Sequence, residues 1–221
     1  MSLKIHTVGT STIERRAERA VISLTVSKEG PDQATVSQDV TRVSNNLQSH
    51  LGTIAPQSES DNTAAVTVWN MSSISTGSYL PWDHDKEQHK ERVYTARTNF
   101  DVRFRDFSRL GEFVSQMAME SLVSVESIDW QLTDDTNKTL GQESRKLAVK
   151  DALSKARDYV DALGLTEVKP LEVDDTFTDG GRPIAMYASA RGRGFGGGET
   201  LNFVPEDCKV SCSVKMTLEG H

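Results

Sequence analysis

Two stretches carry residues of the kinds that do chemistry, and a third carries both cysteines. The first is Trp82-Asp-His-Asp-Lys-Glu-Gln-His89, where His84 and His89, with Asp83, Asp85 and Glu87, are acceptable ligands for a divalent metal. A metal held there would make the stretch a hydrolytic centre. The spacing matches no helical His-x3-His pair, and a polar hairpin tip has the same composition, so neither a metal nor a cofactor is expected. The second stretch is Arg191-Gly-Arg-Gly-Phe-Gly-Gly-Gly198. Arg191, Arg193 and Phe195 combine charge with a stacking ring, the means by which single-stranded nucleic acid is tracked. Two arginines in a chain of net charge -7 make a small electrostatic footprint, which disfavours nucleic acid as a partner. The glycines join no strand to a helix, so they are not a dinucleotide fingerprint.

Cys208 and Cys212 stand four apart in an alternating stretch. On a strand their Cα atoms would lie about 13 Å apart, beyond disulfide reach, and two thiols cannot complete a zinc site. Both are expected to face the core, where a thiol is inert. The acid pairs Asp134-Asp135 and Asp174-Asp175 read as turn or helix-cap residues. There is no Gly-x-Ser-x-Gly elbow, His-Glu-x-x-His pair or Gly-x4-Gly-Lys phosphate loop. No catalytic residue can be named, and the chain is read as a non-enzyme.

The elements around these stretches are easier to read. Residues 4–13 and 18–28 are predicted strands, the second by strict alternation of Ala20, Ile22, Leu24 and Val26 with Val21, Ser23, Thr25 and Ser27. Gly30-Pro31 opens a helix whose stripe is Val36, Val40, Val43, Leu47 and Leu51, and Gly52 is expected to stop it. A strand over 64–74, a polar loop through Trp82, His84 and His89, and a strand over 91–105 follow. In the last of these, Tyr94, Ala96, Thr98, Phe100, Val102 and Phe104 oppose Thr95, Arg97, Asn99, Asp101, Arg103 and Arg105. Asp106 caps a short helix with Leu110, Phe113, Val114 and Met117 inward, before a strand over 123–132. Residues 18–132 thus spell β-α-β-β-α-β, an order that suits helices on one face of an antiparallel sheet. RNA-binding sheets share the order, but their aromatic signature is absent.

A long alanine-rich helix over 136–163 comes next, closed by Gly164. Ala148, Val149, Ala152, Leu153, Ala156, Tyr159, Val160 and Leu163 fall on an arc of about 140°, expected to be buried against a close neighbour. A short strand over 168–173 and an alternating last strand over 206–218 follow. The fold class is α+β: long antiparallel strands with helices packed on the sheet, the long alanine-rich helix and C-terminal strands following the first core. One domain over 4–218 is expected, with 1–3 and 219–221 read as remnants of recombinant expression. With 221 residues the chain can bury a sizeable core, and no apolar run reaches the ~20 residues of a membrane span. The first residues lack the features of a signal peptide, although a leader trimmed away is compatible with the sequence. Two cysteines without a disulfide scaffold suit a reducing compartment.

Taken together, these stretches resemble the SIMPL-domain family, which includes bacterial periplasmic immunogenic proteins and an animal signalling protein associated with a pelle-like kinase. The likeness is carried by Val8-Gly9, Arg19-Ala-Val-Ile-Ser-Leu-Thr-Val26, Tyr94-Thr-Ala-Arg-Thr-Asn-Phe-Asp-Val102, Leu110-Gly111, Ala148-Val-Lys-Asp-Ala-Leu-Ser-Lys-Ala156 and Ala162-Leu-Gly-Leu165. The resemblance implies an α+β fold, no known catalytic residues and, in bacterial members, ring-like homo-oligomers. Arg16–Ala20 and the Arg/Gly stretch at 191–198 depart from the bacterial pattern, which favours a cytoplasmic member. The expected function is a non-enzymatic interaction module that self-associates through strand edges and helix faces. A homo-oligomer is expected, with an unidentified protein as a further partner. The alternatives are nucleic-acid association through residues 191–198 and metal-dependent hydrolysis at His84 and His89.

Overall fold

The structure, a computed structural model, describes residues 3–55, 63–85, 87–175 and 201–221. In chain order the elements are β1 (Leu3–Arg16), β2 (Arg19–Gly30), α1 (Gln33–Ile54), β3 (Val66–Met71), β4 (Ser75–Tyr79), β5 (Trp82–Asp83), β6 (Gln88–His89), β7 (Val93–Phe104), α2 (Phe107–Met117), β8 (Val123–Gln131), α3 (Asp134–Ala162), β9 (Val168–Asp175) and β10 (Asp207–Gly220). The α+β class is as the sequence predicts. By chain contacts the protein divides into two compact units. The described parts of the first are 3–18, 131–175 and 206–221; those of the second are 19–55, 63–85, 87–130 and 201–205.

The second unit holds the β-α-β-β-α-β order, enlarged by short strands between β3 and β7. Its sheet runs β3-β7-β2-β8, with β4 also on β7, so β7 lies between the two strands that α1 connects. The register sets Ala20, Ile22 and Leu24 opposite Phe104, Val102 and Phe100, and all six are buried. Both helices cover this same face. From α1 come Val36, Val40, Leu47 and Leu51, and from α2 come Leu110, Phe113 and Val114, all in one apolar cluster with the strands. The Phe113 ring lies 5.3 Å from Phe104 and stacks at 5.8 Å on His50. Asp106 caps α2 as predicted, accepting the Ser108 and Arg109 N–H groups at 2.9 and 3.1 Å.

Helix α1 corrects two boundaries. The strand before it continues to Gly30, and the cap is Asp32, whose carboxylate accepts the Thr35 N–H at 2.7 Å. Gly52 does not end the helix, because buried Leu51 holds the last turn in the core and its carbonyl accepts the Ala55 N–H at 2.9 Å.

The first unit is a three-stranded antiparallel sheet, β1-β10-β9, under the 29-residue α3. Odd residues of β1 and even residues of β10 face the helix: Ile5 pairs with Leu218, Thr7 with Met216, Gly9 with Val214 and Ser11 with Cys212. Against them lie Ala148, Ala152, Ala156 and Val160, all fully or almost fully buried. The alanines are small because the strand comes very close. A Cβ placed on Gly9 would stand 1.9 Å from the Ala148 carbonyl oxygen and 2.8 Å from the Ala152 Cβ. Polar groups stitch the seam: Thr7 Oγ1 donates to the Ala152 carbonyl at 3.2 Å, and Ser11 Oγ to that of Ser144 at 2.7 Å.

Helix α3 starts where Thr133 caps it, with Asp134 and Asp135 in its first turn. The Glu18 carboxylate accepts the Thr133 N–H at 2.9 Å and the Thr133 and Thr136 hydroxyls at 2.7 and 3.0 Å, a favourable place for negative charge. The helix closes with Gly164 at φ +71°, in the left-handed region that favours glycine. There the Leu165 N–H bonds the Val160 carbonyl at 2.9 Å and the Gly164 N–H bonds that of Asp161 at 3.2 Å. Asp174 and Asp175, expected in a turn, lie instead in β9 opposite Lys215 and Val214. Glu219 and Gly220 complete β10, and the His221 N–H bonds the Glu167 carbonyl at 3.0 Å.

The buried arc of α3 is narrower than the sequence suggests. Tyr159 and Leu163, placed on it by periodicity, are 56% and 61% exposed. The seam follows 148, 152, 156 and 160, a four-residue step that drifts around the helix, so residues a turn aside leave the sheet toward the C-terminal end. Ala152→Leu and Ala156→Leu should each cost about 1–3 kcal/mol by overpacking. Urea denaturation of both variants checks this, and an unchanged midpoint would mean the seam is loose.

Candidate interaction surface

The loop predicted through Trp82, His84 and His89 is largely a hairpin. β4 pairs antiparallel with β7, from Ser75 opposite Arg97 to Tyr79 opposite Val93. It continues the line of β3 along the same edge, with Ser72 at the break. There the Ser72 N–H bonds the Asn99 carbonyl at 2.9 Å, and Thr98 Oγ1 donates to the Ser72 carbonyl at 2.8 Å. All five residues of β4 are exposed. Beyond it β5 and β6 pair Trp82 with His89 and Asp83 with Gln88.

The turn is held by short-range polar bonds. Asp83 Oδ1 accepts the Asp85 N–H at 3.1 Å, the Lys90 N–H bonds the Pro81 carbonyl at 2.8 Å, and Glu87 takes φ 48°. These bonds leave no ligand set. Asp83 faces the Lys90 ammonium at 3.8 Å, and the His89 ring meets Trp82 edge-on at 4.9 Å. Among the described residues, no three His, Cys, Asp or Glu side chains are placed to hold a metal ion.

The apolar run Tyr79-Leu80-Pro81-Trp82 is what marks this surface. Tyr79, Leu80 and Trp82 remain 47%, 45% and 47% exposed within four consecutive residues. Tyr79 is anchored at one end, its hydroxyl donating to Glu29 Oε2 at 3.1 Å, and that carboxylate raises the phenol above its ordinary pKa. Neighbouring exposed apolar side chains are a feature of contact surfaces, whereas a hairpin end serving only as a turn needs none. In the sequence the polar majority of the loop masks them. Four consecutive residues, three of them large and apolar, were the available signal.

The other candidate residues fall elsewhere. Arg191, Arg193 and Phe195 lie outside the described residues. On β2 and β7 the sheet face away from the helices is a polar ladder, with Ser23 bonded to Asp101 at 2.7 Å, Thr25 to Asn99 at 3.1 Å, and Arg97 to both Asn99 and Thr25. No aromatic side chain stands on that face of these two strands, so they form no base-stacking platform. In the first unit, a groove of about 240 Å³ is lined by His6, Val8, Glu172, Asp174, Lys215 and Thr217 on the face opposite α3. Its polar contact is His6 Nδ1 to Thr217 Oγ1 at 3.2 Å.

Cys208 and Cys212 are buried and form no disulfide, as expected. Burial raises both above the ordinary thiol value, helped by Asp207, Glu18 and Glu206 around Cys208 and by Asp175 near Cys212. Neither should react with a thiol reagent at neutral pH until the unit opens, an outcome read by the absorbance of the released chromophore with and without denaturant.

The family model named SIMPL, described as a protein of unknown function (DUF541), matches residues 5–218. The chain belongs to the SIMPL family. The match runs through both compact units, and no curated protein matches the chain significantly. Two stretches that carry the SIMPL likeness, Val8-Gly9 and Ala148–Ala156, turn out to be two sides of one contact, the close approach of β1 to α3. Among the described residues, no helix of this SIMPL protein is long and apolar enough to cross a membrane.

Proposed function

We propose that this SIMPL protein is a non-enzymatic interaction module that assembles with copies of itself, and that the hairpin carrying Tyr79, Leu80 and Trp82 is the contact. The reading rests on those three half-exposed apolar residues at the end of β4 and just after it, and β4 has only β7 as a partner strand among the described residues. Two copies of such an edge can pair about a twofold axis, burying the apolar run of each against the other. The cytoplasm is part of the same reading, since the two buried thiols suit a reducing compartment.

Size-exclusion chromatography with light scattering tests it. The unaltered protein should elute as a defined oligomer, and Leu80→Ser with Trp82→Ser should return it to the monomer mass with unchanged circular dichroism. A monomer at every concentration of the unaltered protein would overturn the reading, as would an oligomer indifferent to both substitutions.

A further inference from the structure

The sequence places Asp151 and Lys155 on the solvated side of α3, yet both reach the outer edge of β1. Asp151 Oδ2 accepts the Thr10 N–H at 2.8 Å, and Lys155 Nζ donates to the Val8 carbonyl at 2.9 Å. The two side chains also bond each other at 2.6 Å. In an antiparallel strand the N–H and C=O of one residue point the same way, and alternate residues point to alternate sides. The even residues of β1 therefore direct their backbone groups away from β10. Acceptor and donor sit where a neighbouring strand would put its own carbonyl and N–H.

We infer that the outer edge of β1 is a pairing surface for the β1 edge of a second copy of this chain, held closed by the Asp151–Lys155 pair. The edge is long enough to pair, since β1 spans 14 residues and, among the described residues, side chains occupy the outward backbone groups of only two. It is also complementary to itself. An antiparallel register centred on Gly9 sets Val8 opposite Thr10 and His6 opposite Thr12, and brings Lys4 against Glu14 in both halves of the pair. An unguarded edge of this kind templates association between chains.

The test uses the full chain carrying Leu80→Ser and Trp82→Ser, so that assembly through the hairpin adds nothing to the mass and the two readings fail separately. In that background Asp151→Ala with Lys155→Ala should double the mass by light scattering, while the guarded chain stays monomeric. Adding Thr12→Pro removes an outward N–H without touching the β1–β10 ladder, and should restore the monomer. A folded double variant that stays monomeric overturns the inference, and so does a mass gain that Thr12→Pro leaves in place. If the double variant does not fold, Lys155→Ala alone frees the Val8 carbonyl at an exposed position. It should then show concentration-dependent association, reversed by Thr12→Pro, and a constant monomer mass would again overturn the inference.

Discussion

Gly9→Ala should open the first unit, at a cost of about 3 kcal/mol or more, although it adds one methyl group. The added carbon would stand 1.9 Å from the Ala148 carbonyl oxygen and 2.6 Å from the Ala152 nitrogen, both helix backbone. No rotamer change can relieve such a clash. Either α3 lifts from the sheet along the seam, or β1 bends away from β10. Lifting the helix would lengthen the bonds from Thr7 and Ser11 to the helix carbonyls and uncover Cys212 and Met216. The readout is built in, because both cysteines of the chain lie in β10 and are buried. Thiol labelling under native conditions should accelerate roughly a hundredfold, the equivalent of about 3 kcal/mol in the opening equilibrium. Ala152→Gly should not rescue it, since the nearest atom belongs to the Ala148 backbone and persists whatever side chain stands at 152. Full rescue, or unchanged labelling in Gly9→Ala itself, would show that β1 and α3 are further apart than described.

The close approach was half legible in the sequence. Ala148, Ala152 and Ala156 at four-residue spacing announce a helix that something meets closely, but a helical wheel cannot say what. The answer lies in a glycine some 140 residues earlier in the chain, and only the fold brings the two together. Strands came through wherever one face is core and the other water, as in β7, where alternation follows burial almost residue by residue. β4 is illegible for the converse reason. Ser75-Thr-Gly-Ser78 has no buried side to imprint a pattern, and it is a strand because β7 extends far enough to pair with it. The role of Asp151 and Lys155 is illegible for a similar reason, since a charged pair one turn apart looks like a solvated face until the edge beside it is known. The division into two units was also hidden. The first unit is closed by pairing Leu3 with Gly220, and no local window holds both ends of a chain.

The second unit depends on bulk rather than on closeness, and Phe104→Ala should cost it about 3–5 kcal/mol. Phe104 is fully buried near the end of β7, opposite Ala20 on one side and Val66 on the other, with its ring 5.3 Å from that of Phe113 on α2. Truncation would remove the ring that joins sheet to helix, and little nearby could move in. Ala20 is too short, Val66 is fixed by its own pairing, and Phe113 is already held by its stack on His50. The cost should therefore fall toward the cavity-dominated end of the range rather than the collapse-relieved end. All three tryptophans, Trp69, Trp82 and Trp130, lie in this unit, and Trp69 and Trp130 pack against its core. Their fluorescence should report a lower urea midpoint for Phe104→Ala with an unchanged slope. Phe104→Leu, which keeps most of the apolar volume, should lose less than half as much. Equal losses would mean that the ring contact with Phe113, and not the filled volume, is what the site requires.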